Sequence, residues 1–182
     1  MSFYIIQIKW SNRFRGNSTK TCKVTVDGTD FRIQEPKPFN SKWYSHKFKA
    51  AGLRYEVAVC IKTGDIVWIY GPFPCGRYPD IVIYRRRLKF MLNDHEKVEA
   101  DAGYRGEANV RTPNDYVSRS DFRAKNKARA RHETVNGRLK IFKALSTTYR
   151  HSLSKHRYVF NAIAVCTQIS FENGEPPFKV TY

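Results

Sequence analysis

Three acidic side chains stand in surroundings that are otherwise apolar or basic, and their types suit phosphodiester chemistry. Asp27 closes the run Cys22-Lys23-Val24-Thr25-Val26, Asp101 follows Val98-Glu99-Ala100, and Glu133 lies among Arg129, Arg131 and Arg138. Carboxylates gathered at strand ends cannot all stay ionised without cations. Mg2+ and Mn2+ are the hard cations that such oxygen sets prefer. Two such ions about 4 Å apart can activate a water and stabilise the leaving oxygen of a phosphodiester. Each residue alone also has a plainer reading. Asp27-Gly28 is a common turn dipeptide, and Asp101 before Ala102-Gly103 suits a loop. Glu133 stands one helical turn after Arg129, the spacing of a helical ion pair. A helical projection sets Val135, Leu139 and Phe142 roughly opposite Glu133, which argues against its burial. A first-turn residue still reaches a site at the sheet edge.

The elements that must carry these residues follow from local pattern. Residues 3–10 read as the end of an apolar element, and Arg13 to Lys20 as a loop. Residues 22–27 alternate and are rich in β-branched side chains, so they predict a strand, with a turn or bulge at Gly28. Tyr55–Ile61 and Ile66–Tyr70 predict two more strands, joined as an antiparallel hairpin through Thr63-Gly64-Asp65 and ended by Gly71-Pro72. Asp80 is placed to cap a helix carrying Ile81, Tyr84, Leu88 and Leu92. Short strands are expected at residues 97–100 and 108–111. A basic helix is expected over about 125–145, and a helix apolar nearly all round over about 155–171. The order is that of one α/β domain, a mixed sheet flanked by helices. The expected organisation is an upstream segment or fragment start at 1–20, a folded domain at 21–173 and a C-terminal tail at 174–182.

The charge balance names a partner class. Thirty-three Lys and Arg against sixteen Asp and Glu give a net charge of +17 and a pI near 9.9. A polyanion would release counterions on binding, so DNA is the expected partner. Arg123, Lys125, Lys127, Arg129, Arg131, Arg138 and Lys140 surround Glu133 and are the expected phosphate contacts. Arg85, Arg86 and Arg87 form a second basic run, and a solvated helix face explains it as well. Trp43, Tyr44 and Trp68 suit a core better than base stacking. No apolar run approaches the roughly 20 residues of a membrane span, and no signal peptide opens the chain. An intracellular, nuclear protein with no membrane partner is expected. Cys22, Cys60, Cys75 and Cys166 form no C-x-x-C pair, so reduced thiols are expected, and His151 and His156 are poorly spaced for zinc.

Several blocks together resemble a known family. Val26-Asp27-Gly28-Thr29-Asp30-Phe31 looks like the first catalytic block of the Harbinger-type DDE transposase nucleases. Tyr44-Ser45-His46-Lys47 before an apolar strand is similar to that family's aromatic-Ser-x-Lys lead-in. Gly71-Pro72-Phe73-Pro74 and Gly76 through Asp80 resemble its glycine-aspartate segment. Ala100-Asp101-Ala102-Gly103-Tyr104 resembles its second catalytic block. Arg129, Glu133, Gly137, Leu139 and Lys140 match the third. The resemblance runs from about residue 22 to 172. It implies a ribonuclease H-like fold, Mg2+ or Mn2+ held by Asp27, Asp101 and Glu133, and DNA strand cutting with 3′-hydroxyl transfer. Asp80 matches a family aspartate outside that trio and is read as a structural cap. Residues 102–132 make a shorter spacer than the family pattern, and His132 takes an apolar position. The family carries a helical DNA-recognition region upstream, so a separate or missing recognition domain is implied. The alternative is a transposase-derived DNA-binding protein that cuts poorly or not at all.

Overall fold

The computed structural model describes residues 8–16, 20–115 and 118–182. Residues 3–7 of the first predicted element lie outside them, and Trp10–Phe14 is a short 3-10 turn. Six strands are described: β1 (Cys22–Arg32), β2 (Tyr44–Ser45), β3 (Ala50–Cys60), β4 (Ile66–Pro74), β5 (Lys97–Glu99) and β6 (Val110–Arg111). The helices are α1 (Asp80–Arg86), α2 (Arg119–Leu139), α3 (Lys143–Ser146) and α4 (Leu153–Glu172). The strands form one mixed sheet in the order β2-β3-β1-β5-β6, with β4 also paired to β3. β3 runs antiparallel to β1, β2 and β4, while β5 is parallel to both β1 and β6. This is the expected α/β architecture, a ribonuclease H-like mixed sheet flanked by helices.

Alternation along the long strands builds a core on each face. Phe31 of β1 and Tyr55, Val57 and Val59 of β3 pack against Val135 and Leu139 of α2 and Phe160 and Ala164 of α4. Val24, Val26, Ala58 and Cys60 point the other way, onto Tyr84 of α1, Leu88, Val98 and Tyr104. β3 is buried from Ala51 to Cys60, as a strand covered on both faces must be.

Several local expectations are corrected. The chain does not turn at Gly28, because β1 continues through it to Arg32 with unbroken pairing to β3. β4 runs past Gly71-Pro72 to Pro74. The Thr63-Gly64-Asp65 turn is present, with Gly64 at φ +87°, where a side chain would be strained. α2 starts at Arg119 rather than near Lys125 and stops at Leu139. α4 is one-faced: His156, Phe160, Ile163, Ala164, Thr167 and Phe171 are buried at helical spacing, while Tyr158 is 68 % exposed. The expected tail folds back, with Val180 buried beside Cys22, Ile61 and Ala128.

Candidate active site

The parallel pairing of β1 and β5 brings two of the three carboxylates together. Thr25 lies beside Glu99 in register. β5 ends at Glu99, and Asp101 just beyond it lines one cleft with Asp27 of β1. Asp27 Oδ1 accepts the Gly28 N–H at 2.8 Å, and its Oδ2 accepts Asn136 Nδ2 at 3.3 Å. One turn earlier on α2, His132 Nδ1 shares a hydrogen bond of 2.8 Å with Thr25 Oγ1. Residues 25 and 27 of the strand thus meet residues 132 and 136 of the helix, period 2 against period 4. Asp101 caps the 3-10 turn at Ala102–Tyr104, its Oδ1 accepting the Gly103 N–H at 2.8 Å.

Glu133 is exposed and is the fifteenth residue of α2, not a first-turn residue. It lines one small cleft with Asp27, Asp101, Glu99, Arg129 and His132, about 40 Å³ in volume. The cleft gathers the predicted trio, but the gathering is incomplete. Among the described residues, no three His, Cys, Asp or Glu side chains stand close enough to hold one metal ion. The donor chemistry nevertheless fits a hard divalent cation, since every candidate ligand is a carboxylate. Electrostatics point the same way. Burial raises the Asp27 pKa above the usual carboxylate range, Lys47 opposes the shift, and Asp101 adds to it. A buried carboxylate whose proton affinity is raised by burial and by a neighbouring carboxylate is one that a cation stabilises. His132 is pushed down to about 4 by burial, so its ring is neutral at pH 7.

Asp80 is not a helix cap. It is the first residue of α1, and Pro79 occupies the capping position. Its Oδ1 instead lies 3.3 Å from Arg54 Nη1. Burial raises the Asp80 pKa to about 6 although Arg54 and Lys47 pull it down. The carboxylate rests directly over Gly28, where a Cβ would lie 1.7 Å from Asp80 Oδ1. Glycine at 28 is therefore required by close approach rather than by a turn.

The basic residues around Glu133 divide by helix phase. Arg123, Lys127 and Lys140 are exposed, Arg129 lines the cleft, and Arg138 is half-buried against Glu175 and the Phe171 ring. Lys125 and Arg131 are turned inward and leave the expected DNA face. Lys125 Nζ lies 2.5 Å from Asp121 Oδ2 and 3.9 Å from Glu99 Oε1. Arg131 donates to the carbonyls of Cys60 and Ile61 at the end of β3. Arg85 is tied to Glu107 at 2.5 Å, while Arg86 and Arg87 are exposed over aromatic rings. Trp68 donates to Glu56 Oε2 at 2.9 Å, and His156 packs on Tyr55 with a 2.8 Å hydrogen bond. Both therefore serve the fold.

Sequence reasoning missed Glu99, fully buried in the same cleft with Tyr182 donating to its Oε1 at 2.5 Å. Its signal was available: it precedes Asp101 by two on a strand and so shares its face. Asn136, four residues after His132, carried a similar signal only once α2 was phased.

The model of the DDE superfamily endonucleases matches residues 26–169, which include Asp27, Asp101 and Glu133. A curated relative from Microchaete diplosiphon, named a probable transposase for insertion sequence element IS702, is 30% identical over 148 residues. The match takes in 74% of this chain and 51% of the relative, so the chain spans about half that protein's length. No solved structure matches the chain significantly. Among the described residues, no helix is long and apolar enough to cross a membrane. By the extent of the family match, the chain belongs to the DDE superfamily endonucleases.

Proposed function

We propose that this chain is the DNA-cutting domain of a transposase, with Asp27, Asp101 and Glu133 as the carboxylates that hold Mg2+ or Mn2+. The observation that supports the reading is one small cleft lined by Asp27, Asp101 and Glu133 within a family match that spans all three. Divalent ions, when bound, supply activation of the attacking oxygen and neutralisation of the leaving one. In the cutting step a water oxygen bonds to phosphorus and the bond from phosphorus to O3′ breaks. Water gives up a proton and the departing O3′ takes one, leaving a 3′-hydroxyl and a 5′-phosphate. In the transfer step that 3′-hydroxyl gives up its proton, its oxygen bonds to a phosphorus of a second strand, and the bond from that phosphorus to its own O3′ breaks, the departing O3′ taking up a proton. Arg129 at the cleft, with Arg123, Lys127, Arg138 and Lys140 outside it, contacts the phosphates.

The test is nicking of supercoiled plasmid with Mg2+ or Mn2+ against a chelator control. Asp27→Asn and Asp101→Asn each keep side-chain size but remove an anionic ligand. Both are expected to cut roughly a thousandfold more slowly while still binding DNA. Unchanged cutting in either variant sinks the site. DNA binding without cutting by the intact chain, under every metal condition, favours the non-cutting DNA-binding alternative.

A further inference from the structure

We propose that Lys47 is a phosphate-contacting residue of this cleft, held at Gly28 so that its ammonium meets a non-bridging oxygen of the scissile phosphodiester. The inference rests on the DNA-cutting reading above and adds a residue from a different part of the chain.

Lys47 lies in the turn between β2 and β3 and is exposed, yet its ammonium is directed. Nζ donates to the Gly28 carbonyl at 2.5 Å, one residue past Asp27. Its charge is the main one opposing the rise of Asp27's proton affinity, and it also lowers the proton affinity of Asp80 and Asp30. An ammonium has three donors, and the carbonyl takes one.

The turn that carries it is pinned by a buried polar chain. The Lys47 N–H donates to Ser45 Oγ at 3.2 Å, and Ser45 Oγ donates to Asp30 Oδ2 at 2.6 Å. Arg54 forks onto Asp30 through Nε at 2.6 Å and Nη2 at 2.8 Å. Its Nη1 lies 3.3 Å from Asp80, the residue resting over Gly28. Burial pushes the Asp30 carboxyl up, but Arg54 and then Ser45 outweigh it and hold it below the usual range. Buried ion pairs of this kind contribute little net stability, so specifying geometry is the better account of them. The geometry specified here is the position of Lys47 relative to Gly28, and so to Asp27. A point-charge donor beside the metal-binding carboxylates suits a phosphate oxygen.

The experiment compares the wild type with Lys47→Met and Lys47→Arg, and with Lys155→Ala, an exposed lysine on α4, as control. First, metal-free binding to a short DNA duplex is measured across salt concentrations. Lys47→Met is expected to lower the log–log salt slope by about one, Lys47→Arg to restore it, and Lys155→Ala to leave it unchanged. Second, kcat/KM for nicking is expected to fall roughly 10- to 100-fold in Lys47→Met and to recover most of that in Lys47→Arg. Thermal melting reports folding and is expected to stay level in all three. A slope and rate in Lys47→Met equal to wild type overturn the proposal, as does an equal slope change in Lys155→Ala. If the wild type itself never cuts, the cutting reading fails, and the binding slopes still decide whether Lys47 contacts phosphate.

Discussion

Asp27 of β1 and Asp101, just past the end of β5, line one cleft, and the charge of Asp101 raises the proton affinity of Asp27. The first sits inside β1 beneath Asn136, while the second caps the turn that leaves β5.

That pairing predicts a stability gain when Asp27 loses its charge. Burial, with Asp101, raises the folded-state pKa of Asp27 above its unfolded value. Below the unfolded pKa both states are protonated and the group contributes nothing. As pH rises past it, the unfolded state ionises first and folding weakens. Asp27→Asn should therefore melt higher than wild type at pH 7 in a chelator, with the difference closing below about pH 4. Mg2+ should raise the wild-type melting temperature more than the variant's. A variant that melts lower at pH 7 would contradict the argument.

Glu56 gives a second pH dependence on the opposite face of the sheet. Burial pushes its carboxyl up to about 8, and the hydrogen bond from Trp68 only partly offsets this. Its raised pKa means that stability is lost as pH climbs from about 4.5 through about 8. Glu56→Gln keeps the acceptor for Trp68 and should flatten that decline in chemical denaturation measured from pH 5 to pH 9. An unchanged slope would rule out Glu56 as its source.

The basic helix should separate into binding and folding residues. Lys125→Met leaves Glu99 buried without its helix cation and should cost about 3–5 kcal/mol. Arg131→Met strips a charged donor from two strand-end carbonyls and should cost about 1.5–3 kcal/mol. Arg123→Ala and Lys127→Ala should each change stability by less than about 0.5 kcal/mol. Each should lower the salt slope of DNA binding by about one. Denaturant melts and DNA titrations on the four variants check both halves.

Gly28→Ala should act through Asp80. The added Cβ overlaps the Asp80 carboxylate, which is buried and held by Arg54. A loss of about 1–3 kcal/mol is expected. Asp80→Ala removes the clashing group, so the double variant should lose less than the sum of the two singles. Additive losses would locate the strain elsewhere.

The sequence by itself determined five of the six described strands, though not their full extents, and singled out the two aspartates as candidates. Runs such as Val24-Thr25-Val26 and Val57-Ala58-Val59 alternate or stay apolar in ways that only buried strands explain, and an aspartate ending or following such a run is conspicuous. Glu133 was legible only through its match to a family block, because on a helix rich in arginine an isolated glutamate also reads as an ion-pair partner. Tertiary structure alone decided the phase of α2. With basic residues spread around the helix, composition does not say which of Lys125, Lys127, Arg129 and Arg131 faces inward. Contacts of His132 with Thr25 and of Asn136 with Asp27 settle it, since a rotation of 100° per residue then sends Lys125 to Glu99 and leaves Lys127 outside. The same holds for Asp80, whose local pattern is that of a cap. Its partner Arg54 and its contact surface Gly28 are 26 and 52 residues distant, 80 minus 54 and 80 minus 28, and only the folded sheet brings them within reach.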